Sequence, residues 1–242
     1  TPNAKFGAVP ELIQYKKLPK NSNSLSSNFI VSVFEDSNDI LWVGCNTQGL
    51  VKVLRDSNNN PIQYTRIKGG EYNPRGLNNN AVFDIFEDNV HNIWLATYGG
   101  GLNMIPRDEI KHEQPKIIKY KVEQGLPSNE VYGIEADDMH NLWISTNYGI
   151  SKYDPLNHQF KNFGINDGLQ ANNFRKYAHC KGKNGMLYFG GINGFNRFKP
   201  DDFEINKIEP ITEITCFKLF NRDVAIGEEV FGKVLLHKSI SE

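Results

Sequence analysis

Six side chains combine the chemistry that recognises a polyhydroxylated or anionic ligand: Tyr98, Asn147, Tyr148, Arg175, Lys176 and Asn193. A phenol ring stacks on the apolar face of a sugar while side-chain amides pair with its hydroxyls. A guanidinium or ammonium group answers a uronate or sulfate. Asn46, Thr47, Gln48, Asn78, Asn79, Ser128 and Gln170 add further amides and hydroxyls. The plainer account of these polar residues is that Asn and Gly populate tight turns because they tolerate positive φ, with no ligand needed. Catalytic sets are missing. Glu35 and Glu87 recur at a scaffold position, Glu130 and Glu135 occur once, and the glycine run at 99–101 precedes no helix that could hold a phosphate. Asp36, Asp88 and Asp137 stand alone in their turns, too few oxygens for calcium, and read as turn-starting residues. His91 and His140 occupy equivalent turn positions and read as solvated. No cofactor or metal is implied.

Those residues must be positioned by a repeating scaffold. Leu25, Leu77, Leu126 and Leu169 each stand three residues before an asparagine: Asn28, Asn80, Asn129 and Asn172. Trp42, Trp94 and Trp143 follow the first three leucines by seventeen residues, and Tyr188 follows the fourth by nineteen. Successive tryptophans are 52 and 49 residues apart, and Tyr188 follows Trp143 by 45. Periods in this range belong to propeller blades or solenoid coils.

Each unit reads as short alternating strands broken by Asn- and Gly-containing turns. Asn129 to Tyr153 is the most regular: VYGIEA, LWIST and ISKY, separated by polar turns. Segments 62–67, 116–121 and 159–163 supply a fourth strand to the first three units, and four strands per unit favour a propeller. The expected fold is therefore all-β: four four-stranded blades of a partial propeller, then the beginning of a β-sandwich. Residues 1–18 form a leader with an orphan outer strand at 11–18, residues 19–205 the blades, and residues 206–242 the truncated start of the sandwich. In such blades the loop into the inner strand and the turn between the second and third strands share one face of the disc. That face carries Tyr98, Asn147, Tyr148 and Asn193, with Arg175 and Lys176 near one side of it. The equivalent tryptophans read as inter-blade core, and the Leu-x-x-Asn asparagines as hydrogen-bonding anchors. An open arc of blades leaves apolar faces that invite a homodimer, with a small closed ring as the other solution.

Composition excludes several classes. A net charge of −1 leaves no electrostatic footprint for nucleic acid. Apolar runs are far shorter than the ~20 residues of a membrane helix. With 39% hydrophobic and 12% aromatic residues the chain has the makings of a packed core rather than disorder. Cys45, Cys180 and Cys216 lack CxxC spacing and do not settle the compartment.

The repeated acidic turn followed by Ile/Leu-Trp, with Leu-x-x-Asn before it and Gly-Leu/Ile after it, resembles two-component regulator propeller repeats. The segment PITEITCFKLFN at 210–221 resembles the opening of the Tyr-rich β-sandwich that follows such propellers. The resemblance implies the periplasmic sensor region of a hybrid two-component system from a polysaccharide-degrading bacterium. Such a parent would carry two seven-bladed propellers, a sandwich, a membrane helix and a cytoplasmic histidine kinase. This chain would hold the last four blades and the first sandwich strands. Its partners would be an oligosaccharide ligand and the remaining blades and sandwich of the same protein. Two other readings stand beside it: a propeller-type glycosidase or lyase, and a pure protein-interaction propeller. The Asp-box lead Ser/Thr-x-Asp-x-Gly of sialidases is absent from every copy.

Overall fold

A computed structural model describes residues 12–70, 73–202 and 216–234. The chain divides into two units, residues 1–202 and 203–242. In the first unit every regular element apart from single 3-10 turns is a strand. Blade one comprises β1 (Ile30–Glu35), β2 (Leu41–Cys45), β3 (Leu50–Arg55) and β4 (Pro61–Ile67), and blade two comprises β5 (Val82–Glu87), β6 (Ile93–Thr97), β7 (Gly101–Ile105) and β8 (Ile118–Tyr120). Blade three holds β9 (Val131–Ala136), β10 (Leu142–Thr146), β11 (Gly149–Asp154) and β12 (Gln159–Phe163). Each is a four-stranded antiparallel sheet in sequential order.

Blade four departs from the expected count. Its sheet contains β13 (Phe174–Lys181), β14 (Leu187–Gly191) and β15 (Gly194–Phe198) only. The segment that would follow as an outer strand, 203–215, lies outside the described residues. A second departure concerns 11–18. Residue 11 lies outside the described residues, and residues 12–18 join no sheet. The local cause is visible: Lys17 and Leu18 give their N–H groups to the side chains of Asn28 (2.7 Å) and Ser24 (3.1 Å), not to a neighbouring strand. In the second unit, β16 (Lys218–Leu219) pairs with β17 (Arg222–Asp223), and β18 (Glu229–Val230) pairs with β19 (Lys233–Val234). Residues 206–215 and 235–242 of the segment expected to begin a sandwich lie outside the described residues.

The core is layered between blades. Trp42 is fully buried among Ile85, Ile93, Leu95 and Ile105 of blade two. Trp94 packs against Leu142, Ile144 and Tyr153 of blade three, 5.4 Å from the Tyr153 ring. Trp143 packs against Phe198 of blade four, with ring centroids 4.8 Å apart and the planes tilted by 52°. Tyr188 holds the matching place in β14, opposite Arg197, but is half-buried. Each indole also has a polar partner. Trp42, Trp94 and Trp143 donate Nε1–H to Asp36, Asp88 and Asp137 Oδ2 at 2.8, 2.7 and 3.0 Å. The same carboxylates accept backbone N–H bonds within their turns, from Asn38 and Ile40, Val90 and Asn92, and Met139 and Asn141. One acidic residue thus ties the turn to the indole, satisfying a buried N–H that is costly to leave unpaired. Blade four has Gly182 six residues before Tyr188 and no such link.

The repeat asparagines join turns and blades. Asn80, Asn129 and Asn172 accept through Oδ1 from the N–H of Gly69, Val122 and Ile165, closing the preceding loop. Their main-chain carbonyls accept from Gly49, Gly101 and Gly149 of the preceding blade at 2.8, 2.8 and 2.6 Å. These glycines have φ of +78°, +73° and +93°, and a Cβ on each would collide with the carbonyl of Ile67, Tyr120 or Phe163. Only glycine meets both demands at the corner.

Candidate functional site

The inner strands of all four blades break register near their starts. In β1, Val31 is the extra residue between the pairs Ile30/Cys45 and Ser32/Gly44. In β5 it is Phe83, and in β9 it is Tyr132. In β13 the break is larger: Phe174 faces Gly191 and His179 faces Phe189, so residues 175–178 lie opposite Gly190 alone. Tyr177, at φ +65°, turns this wide bulge. A bulge re-aims the side chain it carries and is frequent at binding sites. All four breaks fall three residues after the repeat asparagine.

Three of these bulges open onto one cavity of about 800 Å³. Phe83, Tyr132, Arg175 and Lys176 line it from blades two, three and four, together with Tyr98 from the β6–β7 turn. Asn46 and Thr47 of blade one, Gly69, Gly70 and residues 78–81 complete the wall. Phe83 is the buried floor, with the Tyr98 ring 5.6 Å away, Tyr132 at 6.3 Å and Tyr177 at 6.5 Å. Lys176 Nζ lies 4.9 Å above the Phe83 ring and 5.5 Å from Tyr177. Tyr132 donates its phenol to Glu130 Oε2 at 3.0 Å. Burial first, and that carboxylate second, push the Tyr132 phenol up to about 12, so it stays a neutral donor and a stacking ring at any ordinary pH.

Three of the six sequence candidates meet in this cavity: Tyr98, Arg175 and Lys176. The other three lie elsewhere. Asn147 receives the Asn173 side-chain amide at both its main-chain (3.2 Å) and side-chain (2.7 Å) oxygens, as a blade-to-blade tie. Asn193 is held by Gln170, which takes its backbone N–H at Oε1 (2.8 Å) and its side-chain amide at the main-chain oxygen (3.2 Å). Tyr148 lines a separate cleft of about 590 Å³ with Val122, Asn162, Ile165 and Asn172. The turn rule put Tyr98, Asn147, Tyr148 and Asn193 on one face, with Arg175 and Lys176 near one side of it, but could not say which of them meet in one cavity.

Phe83 and Tyr132 escaped sequence reasoning because they sit in strands that read as core. A signal existed. VF at 82–83 and VY at 131–132 put two apolar residues in succession where strict alternation allows one, as a bulge does.

Below the cavity the inner strands share an ion cluster. His179 Nδ1 lies 3.0 Å from Glu135 Oε1, and its Nε2 lies 3.4 Å from Asp84 Oδ2. Asp84 also accepts the Ile134 N–H at 2.8 Å. Three successive inner strands, β5, β9 and β13, thus meet through one imidazole. Burial pushes the Asp84 carboxyl up to about 6 against the opposing pull of His179. Burial alone would push the His179 imidazolium down, but the Glu135 hydrogen bond and the two carboxylates outweigh it and hold its pKa above the usual value. No group of three His, Cys, Asp or Glu side chains suited to a metal ion occurs among the described residues.

The fold and the site together define a β-propeller chain whose blades are cut to one pattern. Residues 24–47, 76–99 and 125–148 match the two-component regulator propeller repeat, and the chain carries three copies of it. A histidine kinase P4 from Formosa agariphila is 39% identical over 89 residues, which is 36% of this chain and 6% of that protein. Among solved structures, the extracellular domain of BT3049 from B. thetaiotaomicron, assigned to a hybrid two-component system, is 25% identical with a TM-score of 0.67, covering 90% of this chain and 28% of that one. The extracellular domain of BT4673 from the same organism shares the fold at 20% identity and a TM-score of 0.63, over 80% of this chain and 26% of that one. The chain therefore spans a small part of the proteins it is similar to.

Proposed function

We propose that the chain is part of the periplasmic sensor region of a hybrid two-component system, and that its axial cavity holds a saccharide released by polysaccharide breakdown. The observation that carries this reading is the convergence of Tyr98, Tyr132 and Phe83 with amide and hydroxyl groups on one concave surface. Aromatic rings over an apolar floor with a few directed polar groups suit a sugar, which presents an apolar face and a hydroxyl rim. The similarity to two-component extracellular domains supports placing that ligand at the head of a signalling protein.

A saccharide in this cavity touches four blades at once, so it can favour one blade arrangement over another. Only such differential binding can drive a signal. In the parent protein that signal would pass through a homodimeric sandwich and the membrane to a kinase. No helix among the described residues is long and apolar enough to cross a membrane. An enzyme reading draws little from the site. Glycoside hydrolysis needs a pair of carboxylates flanking the bond. The described residues of the cavity wall supply none, and neighbouring Glu130 is engaged by Tyr132.

The test is a thermal-shift screen of the 242-residue chain against an oligosaccharide panel, followed by calorimetry on any hit. A binder should raise the melting temperature of the native chain and lose roughly tenfold or more in affinity in Tyr132→Ala and in Tyr98→Ala, the loss of a stacking partner and its area. Unchanged affinity in both variants would reject this cavity as the saccharide site.

A further inference from the structure

The charge of the cavity narrows the ligand class. Among the described residues that line it, two are cations and none is a carboxylate. Both cations come from the wide bulge of β13, which has no counterpart of that size in the other inner strands. Arg175 and Lys176 are exposed, and among the described residues neither makes a hydrogen bond or an ion pair with the protein. Lys176 instead rests over the Phe83 ring, the floor on which a sugar would stack. Asn79 spends its side-chain oxygen on the Ala81 N–H at 2.8 Å, and its amide NH2 has no partner among the described residues.

Two unpaired cations side by side repel each other. An exposed bulge that places them over an aromatic floor gains from any anion that bridges them, since charge-assisted bonds to carboxylate or sulfate oxygens are among the stronger contacts available to a ligand. Glu130 is not among the wall residues and accepts the Tyr132 phenol. From this geometry we infer that the cavity selects acidic saccharides, those bearing a uronate carboxylate or a sulfate ester, with Arg175 and Lys176 as the specificity-determining residues. The inference rests on the saccharide reading of the same cavity and adds the charge of its ligand.

The experiment is an array of oligosaccharides in matched sets, each backbone present as uronate, sulfate ester and neutral form, probed with the native chain and with an Arg175→Ala/Lys176→Ala double variant. Acidic members of at least one set should bind roughly tenfold to hundredfold more tightly than their neutral counterpart. That preference should fade as sodium chloride is raised. It should also vanish in the double variant, where acidic and neutral members of a set should bind alike, with the melting temperature unchanged. The uronate and sulfate arms tell the two anions apart. Equal binding of neutral and acidic members would overturn the charge selection while leaving the saccharide reading in place. So would acidic binding that survives the double variant. An array with no binder in any set would overturn both.

Discussion

His179 shows how much one side chain can fasten. Its two ring nitrogens reach carboxylates on two other inner strands, so a single imidazole couples blades two, three and four. Gly133 lies against the ring, and any Cβ there would collide with it. The protonation arithmetic has one sign. Asp84 and His179 both hold protons more tightly folded than unfolded, Asp84 with a pKa of about 6 and His179 above its usual value. Stability from the cluster is therefore full at low pH and lost as pH rises through about 6 and onward through the His179 titration. Urea midpoints of the native chain should fall as pH rises from about 4 through about 6 and on above the usual histidine value near 6.5, and the fall should flatten in Asp84→Asn/His179→Gln. Midpoints that rise over that window, or an equal slope in the variant, would refute the assignment.

At the scale of elements, the corner glycines and the bulges divide the labour. Gly49, Gly101 and Gly149 hold the turn that hands one blade to the next, and the bulges aim side chains at the axis. Gly101→Ala should cost about 1–3 kcal/mol through its positive φ, before any collision with the Tyr120 carbonyl is counted. Gly70→Ala meets no atom within 4 Å and should stay within about 0.5 kcal/mol. Paired denaturation curves decide this, and equal midpoints for the two variants would remove the corner role. The same contrast explains what the sequence disclosed. The strands, the turn residues and the seat of each tryptophan follow from alternation, Gly/Asn breaks and a period near fifty residues, which are local properties. The convergence of Phe83, Tyr132 and Arg175 does not, because a bulge depends on a partner strand that pattern reading cannot supply. Asn147 and Asn193 make a related point: an amide in a turn looks the same in sequence whatever it bonds, here Asn173 of the next blade and Gln170 of the same blade.

On the scale of the molecule, the repeat makes recognition and scaffolding one property. Each indole packs against the following blade, and the bulges of blades two, three and four open onto one cavity. Tyr188, half-buried at the same register, marks a blade face that no described residue covers as the others are covered. A ligand at the axis therefore reports on how the blades are set against each other, which is what a sensor has to convert into a change elsewhere. Hydrogen exchange of the native chain, with and without an acidic oligosaccharide that binds it, tests this most directly. Slowed exchange should appear together in the first residues of β5 and β9, in the bulge of β13 at 175–178 and in the β6–β7 turn, three blades responding to one ligand. Protection confined to a single blade, or to the Tyr148 cleft with the axis unchanged, would contradict it.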